Sequence, residues 1–217
     1  MLGLLFKRYW LIFTAIITVA LFIGISYAIF TPEQLDAYSE EIQAIEILTA
    51  FFMLVASGLG LYVAIKTKVR SWYLYTYLTF IGALREVGAH AAFTEMSMLK
   101  SRFYISPEIP LYEKLIGLAI ILSLAYAGYK TIRKFIPSLF QLLHGVNHVV
   151  AIYICLGYFA IAKVLDAFFR LFPSYKMYRE DYGPYMRYAK ESMEMAGAFF
   201  LMLAPIFFIK LYQGRKA

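Results

Sequence analysis

Six long apolar runs, separated by short polar segments, set the pattern of this chain, and each is long enough to cross a hydrocarbon layer as a helix. They cover about 10–30, 42–65, 71–93, 111–129, 136–172 and 191–212. The pattern predicts an all-α integral membrane protein, a six-transmembrane-helix bundle in which 1–217 form one transmembrane domain. The first run follows Lys7 and Arg8 and exceeds a signal-peptide core in length, so it is read as an uncleaved first helix. The second carries Ser57, Gly58 and Gly60, small residues that let helix backbones approach closely in lipid. The fifth is too long to lie wholly within about 30 Å of hydrocarbon at 1.5 Å per residue, so it must project or tilt. After it, Pro173 to Tyr188 is rich in tyrosine and charge and reads as a loop or interfacial amphipathic stretch. Pro205 interrupts the sixth run, and neighbouring groups are expected to satisfy the carbonyl it frees.

Charge supplies the orientation. Lys7 and Arg8; Lys66, Lys68 and Arg70; Lys130, Arg133 and Lys134; and Lys210, Arg215 and Lys216 occupy four segments without an acid, while all 14 acids lie elsewhere. These segments alternate, span by span, with acid-bearing ones, which is the positive-inside pattern. It predicts cytoplasmic N- and C-termini, with the loops after spans one, three and five facing outward, as in a bacterial cytoplasmic (inner) membrane protein. The net charge of +7 comes from the four basic segments, where anionic lipid headgroups are the natural counter-charge, so nucleic acid is not an expected partner. The single cysteine, Cys155, lies in an apolar run and reads as a small buried hydrophobe.

The chemistry-bearing residues form two motifs and a scattered acidic set. In Arg85-Glu86-Val87-Gly88-Ala89-His90, Glu86 and His90 are four apart and predicted to share a helix face, in the outer half of the membrane. That spacing suits a carboxylate orienting an imidazole, two ligands of one metal, or a structural pair tying helices together. Arg85 is expected to point elsewhere, towards the interface. His144-Gly145-Val146-Asn147-His148 is predicted to place His144 and His148 on one helix face, as metal ligands or as hydrogen-bonded polar residues near the headgroups. With His90 these are all three histidines of the chain. A single histidine on one span with a His-x3-His pair on a later one is similar to the zinc triad of the alkaline ceramidase and adiponectin receptor superfamily. That resemblance implies a zinc-dependent hydrolase. The chain departs from it where Glu86 replaces a serine four before the single histidine, and where a span follows the pair. Counted along the predicted spans, His90 and the pair also sit at different depths, so a shared site needs the helices shifted by about two turns.

Glu46, Asp166, Glu191 and Glu194 fall on the same predicted outer side as Glu86. Carboxylates at helix N-termini are expected from the macrodipole alone, but Glu46 and Glu194 lie deeper. Glu191 and Glu194, three apart, share a face, and Asp166 lies between Lys163 and Arg170 at ion-pair spacing. Lys100, Arg102 and Lys114, with Arg85 and Glu46, are candidates for contacting a lipid headgroup, or else an ordinary solvated rim.

Four readings follow. The favoured one is an intramembrane enzyme, a lipid-modifying hydrolase or transferase. Its catalytic residues would be Glu86, His90, Asp166, Glu191 and Glu194, and zinc, iron or manganese could be held by Glu86, His90, His144 and His148. The second is a small proton-coupled transporter or channel, separated from the first by substrate flux driven by a pH gradient. The third, less favoured, is a haem subunit using His90 and His148 as axial ligands, which a Soret band would reveal. The fourth is a non-catalytic partner of another membrane protein, or a homo-oligomer, docking through the small residues of span two.

Overall fold

A computed structural model describes residues 2–29, 31, 34, 39–88, 101–171 and 176–214. Every element among them is a helix. They are α1 (Leu2–Ile29), α2 (Ser39–Thr67), α3 (Arg70–Glu86), α4 (Ser101–Ile105), α5 (Leu111–Leu143), α6 (Asn147–Leu171) and α7 (Lys176–Gly214). Apart from the short α4, they follow the six apolar runs in order. Among the described residues four segments are long and apolar enough to cross a membrane: Ile45–Thr67, Leu111–Lys134, Asn147–Leu165 and Tyr185–Gly214. The apolar part described in α1 is shorter, Trp10–Leu21. At 17 residues α3 is only about 25 Å long.

The core is two helical hairpins joined along α7. The first pairs α2 with α3, the second pairs α6 with α7, and α7 also packs along α2. Val63, Ala64, Trp72, Ala151 and Ala204, one or more from each of these four helices, form one buried cluster. Leu11, Ala15 and Val19 attach α1 to Val150, Tyr158 and Phe200, and the Tyr158 hydroxyl donates to the Ala15 carbonyl at 2.7 Å. The attachment of α5 is thinner: a hydroxyl contact between Tyr77 and Ser123, and another between Ser138 and Tyr153.

Small residues act as the sequence implied, but inside the protein. The Ser57 hydroxyl donates to the Thr76 carbonyl at 3.0 Å, and a Cβ on Gly60 would lie 2.6 Å from the Tyr75 ring. The α2 face carrying Ser57 and Gly60 is therefore taken up by α3. Gly58 faces open space. Pro205 lies within continuous α7, where its ring removes the N–H that would reach the carbonyl four residues earlier. That carbonyl belongs to Leu201, and the Tyr75 hydroxyl donates to it. The freed acceptor is thus met from α3.

Four expectations need correction. The basic stretch Lys130 to Lys134 is not an interhelical loop; it lies within α5, which runs through Pro137 to Leu143. The stretch consists largely of helix-forming lysine, arginine and isoleucine, and Pro137 gives up only one internal bond. The chain turns instead at His144–Val146. Gly145 adopts φ 66°, its N–H reaches the Leu142 carbonyl at 2.8 Å, and the Val146 N–H reaches Gln141 at 3.2 Å. This pair of bonds is the Schellman motif, which terminates a helix at a left-handed glycine. His144 and His148 therefore do not share a helix face. The former is in the turn and the latter begins α6.

Span three also stops early. Gly88 has φ 65° and its N–H bonds to the Arg85 carbonyl at 3.0 Å, so α3 ends at Glu86. No continuous helix carries Glu86 and His90 on one face, and His90 lies outside the described residues. Finally, the polar segment before span six is helical from Lys176.

Candidate functional site

Two ends of the four-helix core can be told apart from the contacts. At one, the Trp72 ring lies 4.9 Å from Phe208, and Phe208 lies 5.0 Å from His148. The α2–α3 turn, the start of α6 and the last turns of α7 therefore meet there. Antiparallel pairing carries the start of α2, the end of α3 and the early part of α7 to the other end, and the acids gather at it.

Glu86, the last residue of α3, keeps a carboxyl only 10% exposed. Glu191 and Glu194 in α7 are buried, while Glu86, like Glu46 in α2, is half-buried. The charges of Glu194, Arg85, Glu191 and Glu46 all act on the Glu86 carboxyl. The cations are distributed unevenly among them. Lys163 of α6 donates to Glu194 at 3.1 Å across the helix interface, and Lys190 donates to its neighbour Glu191 at 2.8 Å. Among the described residues the cation paired with Glu86 is Arg85, whose Nε is 3.9 Å away, beyond hydrogen-bond range. That guanidinium is itself 59% exposed. Among the described residues four carboxylates thus face three cations, and Glu86, unlike buried Glu191 and Glu194, has none within hydrogen-bond range.

The chemistry this permits is proton handling. A half-buried carboxylate among like charges, with no cation hydrogen-bonded to it among the described residues, can exchange a proton with a bound molecule more readily than one locked in an ion pair. Glu191 and Glu194, each held by a lysine, are better suited to shaping the local field.

The other sequence candidates fall as follows. Arg102 is exposed on α4, and among the described residues no ion pair joins it to the acidic end. Lys114 donates to the Ser106 carbonyl at 2.7 Å and so closes the bend between α4 and α5. Lys100 and the side chain of Asp166 lie outside the described residues. His148 sits beside Trp72 and Phe208 at the end opposite Glu86. Trp72 and Glu86 are about 20 Å apart along α3, so Glu86 and His148 do not share a metal. Among the described residues no three His, Cys, Asp or Glu side chains form a group that could hold a metal ion.

Sequence reasoning misses two contributors: helical spacing matches Lys163 to Asp166, and Lys190 reads, with the other basic residues of the outer loops, as a lipid-headgroup contact or a solvated rim. The available signal for Lys163 was its position in an apolar run, since an ionisable group at that depth needs a partner on another helix. Comparison with known protein families, with curated proteins and with solved structures gives no match.

Proposed function

We propose that the protein is an intramembrane enzyme acting on a lipid or other amphipathic substrate, with Glu86 as the group that takes and returns a proton. In this reading the chain makes six spans, the basic segments and both termini face the cytoplasm, and the acidic end faces outward. The observation that supports it is the contrast among three glutamates of the acidic end: Glu191 and Glu194 are buried and hydrogen-bonded by lysines, whereas half-buried Glu86 has no cation hydrogen-bonded to it among the described residues. A carboxylate kept at the acidic end without such a partner is costly for the fold and useful for chemistry.

In the mechanism this supports, the substrate's polar group enters beside Glu86, while its apolar chains remain among the lipid. Glu86 removes a proton from water or from a substrate hydroxyl and returns it to the leaving group. Glu191 and Glu194, pinned by Lys190 and Lys163, hold the negative field that sets the proton affinity of Glu86. The test uses the full chain in proteoliposomes of defined lipids, followed by mass spectrometry of the lipids. The expected result is a chemically altered lipid with the natural chain, and its loss in Glu86→Gln at an unfolding midpoint no lower than that of the natural chain. Unaltered lipids with the natural chain, or an undiminished rate in Glu86→Gln, overturn the proposal. Unaltered lipids accompanied by flux driven by a pH gradient would replace it with proton-coupled transport.

A further inference from the structure

The end of the core opposite Glu86 is basic, and among the described residues no acid pairs with it. Lys66 closes α2, Lys68 lies in the turn, Arg70 opens α3, and Lys210 follows Phe208 in α7. Contact of Trp72 with Phe208 brings these four positions to one end, and all four are exposed. No acid occurs from 47 to 85, from 114 to 165 or from 195 to 217, the stretches that build this end. Accordingly no ion pair involves these four residues among the described residues. Their counter-charge must come from another molecule.

The surroundings say which kind. Basic and apolar side chains alternate through the turn: Ile65 is 62% exposed between Ala64 and Lys66, and Val69 is 37% exposed between Lys68 and Arg70. Tyr62 and Tyr73 are exposed beside them. The spanning segment of α2 ends at Thr67, so the turn emerges where hydrocarbon gives way to headgroups. A soluble anion would match the charge and leave the apolar side chains in water. A phospholipid matches both. We infer that the α2–α3 turn, with Lys210, is a binding site for an anionic phospholipid, whose phosphate lies among Lys66, Lys68, Arg70 and Lys210 and whose acyl chains run beside Ile65 and Val69.

Lys68 provides a clean way to test this. It has φ 58°, a left-handed conformation that glycine adopts with less strain. Lys68→Gly thus removes a charge while keeping the turn. The full chain in neutral detergent is titrated with phosphatidylglycerol, and the unfolding midpoint against lipid concentration gives an apparent Kd. Phosphatidylcholine and glycerol phosphate serve as controls. Phosphatidylglycerol is expected to raise the midpoint and the controls to leave it in place. Each basic residue removed should weaken the apparent Kd about fivefold. Lys68→Gly therefore shows about a fivefold loss without a lower midpoint in plain detergent, and K66Q/K68Q/R70Q a loss on the order of a hundredfold. The inference is overturned if phosphatidylcholine stabilises equally, if glycerol phosphate does the same, or if Lys68→Gly binds phosphatidylglycerol as the natural chain does.

Discussion

The contact between Tyr75 and the carbonyl freed by Pro205 makes a quantitative prediction. Tyr75→Phe keeps the ring that lies against Gly60 and deletes only the hydroxyl that donates to Leu201. An acceptor left unmet in a low-dielectric interior costs about 1–3 kcal/mol. Interhelical hydrogen bonds in membranes average about 0.6 kcal/mol and reach about 1.7 kcal/mol. Pro205 is fully buried, so water is not at hand to replace the hydroxyl, and the overlap of the two ranges applies: about 1–1.7 kcal/mol. The decisive background is Pro205→Ala, which restores the N–H able to reach Leu201 from within α7. There, Tyr75→Phe should cost less than about 0.5 kcal/mol, giving a coupling of about 1 kcal/mol between residues on different helices. The cycle also cancels whatever cavity the loss of the proline ring creates. Unfolding free energies of the four proteins in mixed micelles of neutral and denaturing detergent supply the measurement. Equal costs of Tyr75→Phe with and without the proline would refute the reasoning, because the hydroxyl would then be bonded independently of the gap left by Pro205.

Two further substitution pairs probe the bundle. Gly60→Ala would place a Cβ 2.6 Å from the Tyr75 ring and is expected to cost about 1–3 kcal/mol, whereas Gly58→Ala meets nothing within 4 Å and should gain about 0.5–1 kcal/mol by helix propensity, both read by the same unfolding titration. Lys163→Met leaves Glu194 buried without its cation; because the lysine is half exposed, the loss should be about 1–2 kcal/mol, below the range for a fully buried pair. Adding Glu194→Leu should recover most of that loss, and a double variant no more stable than Lys163→Met would show that the ion pair is not what the lysine contributes.

Much of the fold was legible in the apolar runs, because a hydrocarbon environment leaves the backbone little alternative to helices of that length. The helix ends were less so. Lys130 to Lys134 looked like a loop because charge was taken as the mark of an exit from the membrane, yet a helix longer than the hydrocarbon is thick carries its charges on its own projecting turns. The turn was set by Gly145, through a left-handed conformation that the surrounding histidines masked as a ligand motif. Gly88 similarly ended α3 before His90. At the acidic end, the alternation of spans was enough to group Glu46, Glu86, Glu191 and Glu194. Their cations were not readable, because a lysine that finds its partner on its own helix and one that finds it across an interface have the same local spacing. The pairing of Lys163 with Glu194 depends on how α6 and α7 are rotated about their axes, which side-chain packing such as Phe159 against Gly197 decides.

The division of the core into two hairpins has an electrostatic consequence for assembly. The α6–α7 hairpin contains both Lys163 and Glu194, and both Lys190 and Glu191, so it can enter the membrane with its buried charges already matched. The α2–α3 hairpin contributes Glu46 and Glu86, and among the described residues the cation paired with Glu86 is the exposed Arg85. Docking the two halves therefore brings uncompensated negative charge up to a hairpin that has no spare cation hydrogen-bonded to it. Apolar packing along α2 and α7, and the bond from Tyr75 to Leu201, must hold the halves together against that repulsion. The seam between the hairpins is consequently held by packing and by the Tyr75 bond rather than by opposite charges.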